Sequence, residues 1–221
     1  MRKIAILGQV NQAIPILLDI VRLQYPQDEI QVDIVANLAP EDNETLIYPY
    51  ETPGLQCREV FHADWKRSPE TELILGSIGK SREAIFGFFK EYHHIQAADY
   101  SPNIHPAAVL AENAKYGRGL HIGPLSTITP FVTLGDFVVI NRHVSVGHHT
   151  VLEDFVTINP GATVAGICHL GKGVIIGAGA IVIDKITIGE NTLVGAGSVV
   201  TKDLPANVVA YGSPAKVVRE R

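Results

Sequence analysis

Two adjacent histidines, His148 and His149, follow Gly147 in a chain of 221 residues that holds nine histidines and two cysteines. A neutral imidazole carries a lone pair whose proton affinity lies near neutral pH, so it can take a proton from an attacking amine or hydroxyl. General-base help of that kind contributes about 10²- to 10⁴-fold in rate. His143 stands five residues before His148, and His169 lies further on. Imidazoles gathered in space could instead hold zinc, which in hydrolytic sites takes three protein ligands and a water. Cys57 and Cys168 show no Cys-x-x-Cys spacing and read as two free thiols of a reducing compartment. Gly79-Lys80-Ser81 has the ending of a phosphate loop, but the glycine required five residues earlier is Ile74, which argues against one.

What positions His148 is a repeat. Stepping by six from Ile104 meets 17 positions, ending at Val200, and 16 of them are Ile, Leu or Val. No insertion breaks the series. In eight of the 17 the next residue is glycine, Gly147 among them. Two residues before each later aliphatic stands a small or apolar residue and never a charge, from Ala108 to Ser198. Residues two apart share a face of a strand, so each hexad sends one large and one smaller side chain inward and then turns. A helical period of 3.6 would scatter both columns around the axis. Asp136, Asp154, Lys172 and Glu190 fall outside them.

The first hundred residues read differently. Strands are expected at Lys3–Leu7, Gln31–Ala36 and Leu73–Leu75, with helices at Ala13–Leu23 and Ser81–Tyr92, and residues 37–69 as loop. Alternating strand and helix implies a small parallel α/β domain over 1–97. The repeat domain spans 98–204, and a tail, 205–221, ends in a basic helix-like stretch. A net charge of −5 gives no support for a nucleic-acid partner. No window approaches the ~18 apolar residues of a membrane span, and the start reads as a strand, so a cytoplasmic protein is expected.

The segment Asn141 to Gly166, the α/β start and the ending Gly212-Ser213-Pro214-Ala215-Lys216 together resemble the sialic acid O-acetyltransferase family of sugar acyltransferases, which includes the bacillosamine and perosamine N-acetyltransferases. That resemblance implies a left-handed parallel β-helix of five to six coils, three hexads to each coil of 18 residues. It implies acetyl-CoA as co-substrate, no metal, a homotrimer with sites between subunits, and a sugar or nucleotide-sugar acceptor. Gly147-His148 matches the family's catalytic dipeptide. The next position, usually Asp or Glu, is His149, so either another carboxylate, such as Glu153 or Asp154, serves His148 through space or the base is less strongly activated. Thr157 stands where the bacillosamine enzyme has a histidine at the acetyl group. Gly166, 18 residues beyond His148, matches a backbone N–H at the thioester, and Ala178 and Ala196 match the pantetheine groove. Asn141 and Asn159 are 18 apart and should stack, as an amide ladder or as a substrate contact. In the N-terminal domain Gly8 matches the family's glycine-rich turn, with Asn11 and Gln12 as acceptor contacts, but the turn lacks two glycines.

Two other functions compete. The γ-class carbonic anhydrases, trimers on the same kind of helix, set two of three zinc-binding histidines five apart, as His143 and His148 are. These two occupy different hexad positions, fourth and third, and no second Gly-His unit is present. A non-catalytic scaffold would cleave no CoA thioester with any acceptor.

Overall fold

A computed structural model describes residues 1–37 and 53–221. The chain divides into two compact units, Met1–Asn103 and Ile104–Arg221. Residues 38–52 of the expected 37–69 loop lie outside the described residues.

The first unit is a parallel sheet of β1 (Arg2–Leu7), β2 (Ile30–Ala36), β3 (Leu55–Phe61) and β4 (Glu72–Leu75), in the order β3-β2-β1-β4. Helices α1 (Ile14–Gln24) and α2 (Arg82–His93) accompany it. Ile4, Ile6, Leu17, Leu18, Val32 and Ile34 fill its core. The strand β3 corrects the reading of that stretch as loop: it is an edge strand, half exposed, with Arg58 paired to Asp33 on β2 at 2.6 and 3.0 Å. Gly8 and Gly76 let the ends of β1 and β4 meet, since a Cβ on Gly76 would fall inside bonding distance of the Gly8 carbonyl oxygen.

The second unit is a left-handed parallel β-helix. Its strands β5 (Asn103–Ile104) to β21 (Val199–Val200) are two residues long and distribute over three sheets. Pairing runs in steps of 18, as in Ser145↔Thr163 and Val146↔Val164. Both sequence columns point inward: Val146, Leu152, Ile158 and Val164 are fully buried, and so are Val144, Thr150, Val156 and Ala162. Each fully buried aliphatic contributes roughly 1.5–3 kcal/mol.

Two details explain the repeat's chemistry. Inward hydroxyls tie successive coils together: Thr150 Oγ1 donates to the Ala165 carbonyl at 2.9 Å and accepts from the Cys168 N–H at 3.1 Å. Ser126 does the same with the Asn141 carbonyl and the Val144 N–H. The glycines after the aliphatics sit where backbones crowd; a Cβ on Gly147 would come within 2.5 Å of Ala165 and Gly166. The left-handed φ falls instead on the second corner residue, which is Phe131, His149, Ile167 or Lys185 along one edge.

The tail is not helical. β22 (Val208–Gly212) continues one sheet and pairs antiparallel with β23 (Ala215–Glu220). The charged residues that suggested a helix stand on a strand whose partner is the preceding segment. Among the described residues, no helix is long and apolar enough to cross a membrane.

Candidate active site

His148 and His149 are the two turn residues that follow β12 (Ser145–Val146), and both are exposed on one edge of the β-helix. The edge is a ladder of backbone hydrogen bonds between coils. His149 N–H donates to the Pro130 carbonyl, Ile167 N–H to the His148 carbonyl, and Lys185 N–H to the Gly166 carbonyl. Gly166 therefore lies one coil beyond His148 at the same edge.

The His148 ring lies over Gly166. A Cβ built on that glycine would stand 2.9 Å from Nε2 and 3.0 Å from Cε1 of His148. Any side chain at 166 would displace the ring. The Gly166 N–H donates to no group among the described residues. On its other side His148 Nδ1 lies 3.0 Å from Nδ1 of His149. The two rings meet edge to face at 5.2 Å, and His149 stacks on Phe131 at 4.7 Å.

The two carboxylates offered for His148 are used elsewhere. Glu153 meets His169 Nε2 at 2.8 Å and accepts the Lys172 N–H at 2.9 Å. Asp154 accepts the Asp136 N–H at 2.8 Å, and Asp136 in turn accepts the Arg118 N–H. Both belong to the corner after β13 (Val151–Leu152), the next corner along the chain, where Asp154 caps a backbone donor of the preceding coil and Glu153 one of the following coil.

The other site residues gather at a second edge. Asn141, Asn159, Ala178 and Ala196 recur at intervals of 18 or 19 on the corners after β11 (Val139–Ile140), β14 (Thr157–Ile158), β17 (Ile175–Ile176) and β20 (Leu193–Val194). Ala178 and Ala196 are exposed, and a Cβ on Gly161, Gly179 or Gly197 beside them would meet nothing within 4 Å. The other edges carry Phe, His, Ile and Lys at the same φ, so backbone conformation alone does not demand glycine here. Asn159 gives its amide N–H to the Ile176 carbonyl at 2.9 Å, which makes it a structural bridge between coils. Thr157 is buried on the strand that leads to this edge. His143 also stands at this second edge, apart from His148. Among the described residues no group of three or more His, Cys, Asp or Glu side chains is placed to hold a metal ion.

In the first unit Gly8 ends β1 with φ +94°, and a Cβ there would strike Ile85 of α2 at 2.5 Å. Packing thus accounts for this glycine. Asn11 and Gln12 occupy the turn before α1, at the carboxyl ends of the strands and where β1 and β4 diverge in their connections, the usual ligand crevice of such sheets. Both thiols are free; burial pushes each of them up from the ordinary cysteine value, as suits inert side chains.

Sequence reasoning missed Phe131. The coil period carries the signal, since Phe131 is 18 residues before His149 and must lie beneath it.

Comparison with known proteins gives the fold a context. Residues 167–202 match the bacterial transferase hexapeptide (six repeats) family. The acetyltransferase domain of PglB from Neisseria gonorrhoeae, solved with acetyl coenzyme A, superposes with a TM-score of 0.79 at 23% identity, covering 98% of this chain and 99% of that one. A mutant perosamine N-acetyltransferase from Caulobacter crescentus, solved with CoA and GDP-perosamine, gives 0.75 at 22%, covering 100% and 98%. The chain shares the fold of these acetyltransferases. An acyl-[acyl-carrier-protein]–UDP-N-acetylglucosamine O-acyltransferase from Rickettsia typhi is 39% identical over 56 residues, 23% of this chain. The match spans only 21% of that relative's length.

Proposed function

We propose that this chain is an acetyl-CoA-dependent sugar acetyltransferase that works as a homotrimer in the cytoplasm. Its acceptor is an amino or hydroxyl group of a sugar or nucleotide-linked sugar used in surface-polysaccharide synthesis. The observation that carries the reading is the exposed His148 ring lying over the bare Cα of Gly166, beside an N–H without a described acceptor.

In this reading His148 is the general base. The acceptor nitrogen or oxygen attacks the thioester carbonyl carbon, a C–N or C–O bond forms, and the acceptor's proton passes to Nε2 of His148. The Gly166 N–H donates to the carbonyl oxygen as negative charge gathers there. Collapse breaks the C–S bond. The CoA sulfur leaves with the electron pair and takes the proton from His148, which frees the base. No covalent enzyme intermediate and no metal is needed.

The bare edge at Ala178 and Ala196, with Thr157 on the strand that leads to it, suits a pantetheine arm lying close to the coils, and Asn141 is a proposed acceptor contact. Gly8, Asn11 and Gln12 are the proposed acceptor contacts. The solved structures that share the fold hold acetyl-CoA, or CoA with GDP-perosamine, which supports this choice of donor and acceptor class. One chain keeps its base and its bare edge apart, so a second copy completes the site, and three-fold closure satisfies both edges of every copy.

The test is His148→Ala at saturating acetyl-CoA, following thiol release with GDP-perosamine and a panel of free and nucleotide-linked amino sugars. A loss of about 10²-fold or more is expected. A loss below about tenfold removes His148 as the base. Wild-type protein that releases no thiol with any acceptor is a scaffold, and stoichiometric zinc required for activity favours the anhydrase reading.

A further inference from the structure

We infer that His149 is a positioning residue that holds His148 in the tautomer able to accept a proton at Nε2, and that Phe131 in turn holds His149. The inference rests on the reading of His148 as the base.

The two Nδ1 atoms are 3.0 Å apart. Two lone pairs at that distance repel and two N–H groups collide, so one proton lies between them. If His149 supplied it, His148 would carry its own proton on Nε2, the atom over Gly166, and could accept none there. If His148 supplies it, Nε2 keeps its lone pair and His149 carries its own proton on Nε2. A ring nitrogen's state is set by the bond its partner nitrogen makes. Here that bond is to a second imidazole instead of a carboxylate.

The arrangement also serves the charged state. Once Nε2 has taken the acceptor's proton, the Nδ1–H···Nδ1 bond becomes charge-assisted and strengthens roughly twofold. A lone pair on His149 thus stabilises the imidazolium without a fixed negative charge. The surroundings leave the task to His149. Along this edge the coil before the pair presents Pro130 and Phe131, and the coil after it Gly166 and Ile167. Among the described residues the next charges along this edge lie a further coil away, Glu112 on one side and Asp184 on the other, where Asp184 is 3.8 Å from Lys185.

Phe131 fixes the second ring. It is 57% exposed, and its ring stacks on His149 with an interplanar angle of 29°. The stack gives the His149 ring a fixed face to rest on.

The experiment uses full-length protein labelled with ¹⁵N in histidine, and reads tautomers by long-range ¹H–¹⁵N spectra alongside kcat, KM and the pH–rate profile. Glycine and asparagine both tolerate the left-handed φ of His149, so His149→Gly removes the acceptor while His149→Asn keeps one. In wild type His148 should be protonated on Nδ1 and bare on Nε2. His149→Gly should move the proton to Nε2 and lower kcat about tenfold or more, with the KM for acetyl-CoA within about twofold. His149→Asn should restore the tautomer and return kcat to within about threefold of wild type. Phe131→Asn should leave a mixture of tautomers. A protonated Nε2 in the wild type, or a His149→Gly protein with unchanged tautomer and pH profile, overturns the inference. Should His148→Ala stay active, the base reading fails while the tautomers remain as measured; should His148→Ala be inactive and His149→Gly unimpaired, the positioning role alone fails.

Discussion

A single missing methyl group decides whether the His148 ring can rest where it does. Gly166→Ala places a carbon 2.9 Å from Nε2, closer than packed atoms tolerate, and the neighbour that must yield is the ring itself. The backbone ladder at this corner should survive, because Ile167 still donates to the His148 carbonyl. Gly166→Ala should therefore lower kcat by roughly 10- to 100-fold, as a misplaced base does, with the melting temperature almost unchanged; steady-state kinetics and a thermal melt check both halves. Restoring the commoner acid at the neighbouring position tests the same pair from the other side. In His149→Asp a carboxylate favours the protonated form of His148, so the free base appears only at higher pH. The acid limb of the pH–rate profile should move upward, and an unmoved limb means that charge at this position is without influence.

At the scale of elements, the hexad was legible because its constraints are local and repeated. A large aliphatic, a small residue and a crowded glycine recur in steps that only a coil of fixed length satisfies, and the pairing of Val146 with Val164 follows. Elements held by a distant partner were less legible. β3 sets Arg58 and Glu59, both exposed, next to each other in mid-strand and so breaks the in-out alternation, and β23 is recognisable only through its antiparallel match to β22. At the site, the Gly147-His148 dipeptide and its 18-residue relation to Gly166 could be read. That no carboxylate among the described residues meets His148 could not, because Glu153 and Asp154 are near in sequence while their oxygens cap donors on another corner. The inward hydroxyls give this scale its own test. Thr150→Val keeps the shape but leaves the part-buried Ala165 carbonyl and the buried Cys168 N–H without a partner, at a cost of about 1–3 kcal/mol. Chemical denaturation should show that loss, and Thr150→Ser should recover most of it.

At the scale of the molecule, the β-helix holds His148 on one edge and the bare stripe of Ala178 and Ala196 on another, while Phe131 and Ile167 stay exposed beside the histidines. Large apolar groups left in water at a functional edge mark a surface that another chain covers. Under the proposed trimer Ile167→Asp should release single chains, seen by light scattering, and activity should fall with the mass. A stricter test uses two defects on different edges. His148→Ala removes the proposed base, and Ala196→Phe fills the stripe, so each protein alone should be inactive. In trimers assembled from an equal mixture, a site is intact when its first edge comes from an Ala196→Phe chain and its second from a His148→Ala chain. Random assembly makes that pairing in about one site in four, so co-expression should return roughly a quarter of wild-type activity. If each chain instead completes its own site, no mixture of the two variants regains any, and the reason for keeping base and stripe on separate edges must lie elsewhere.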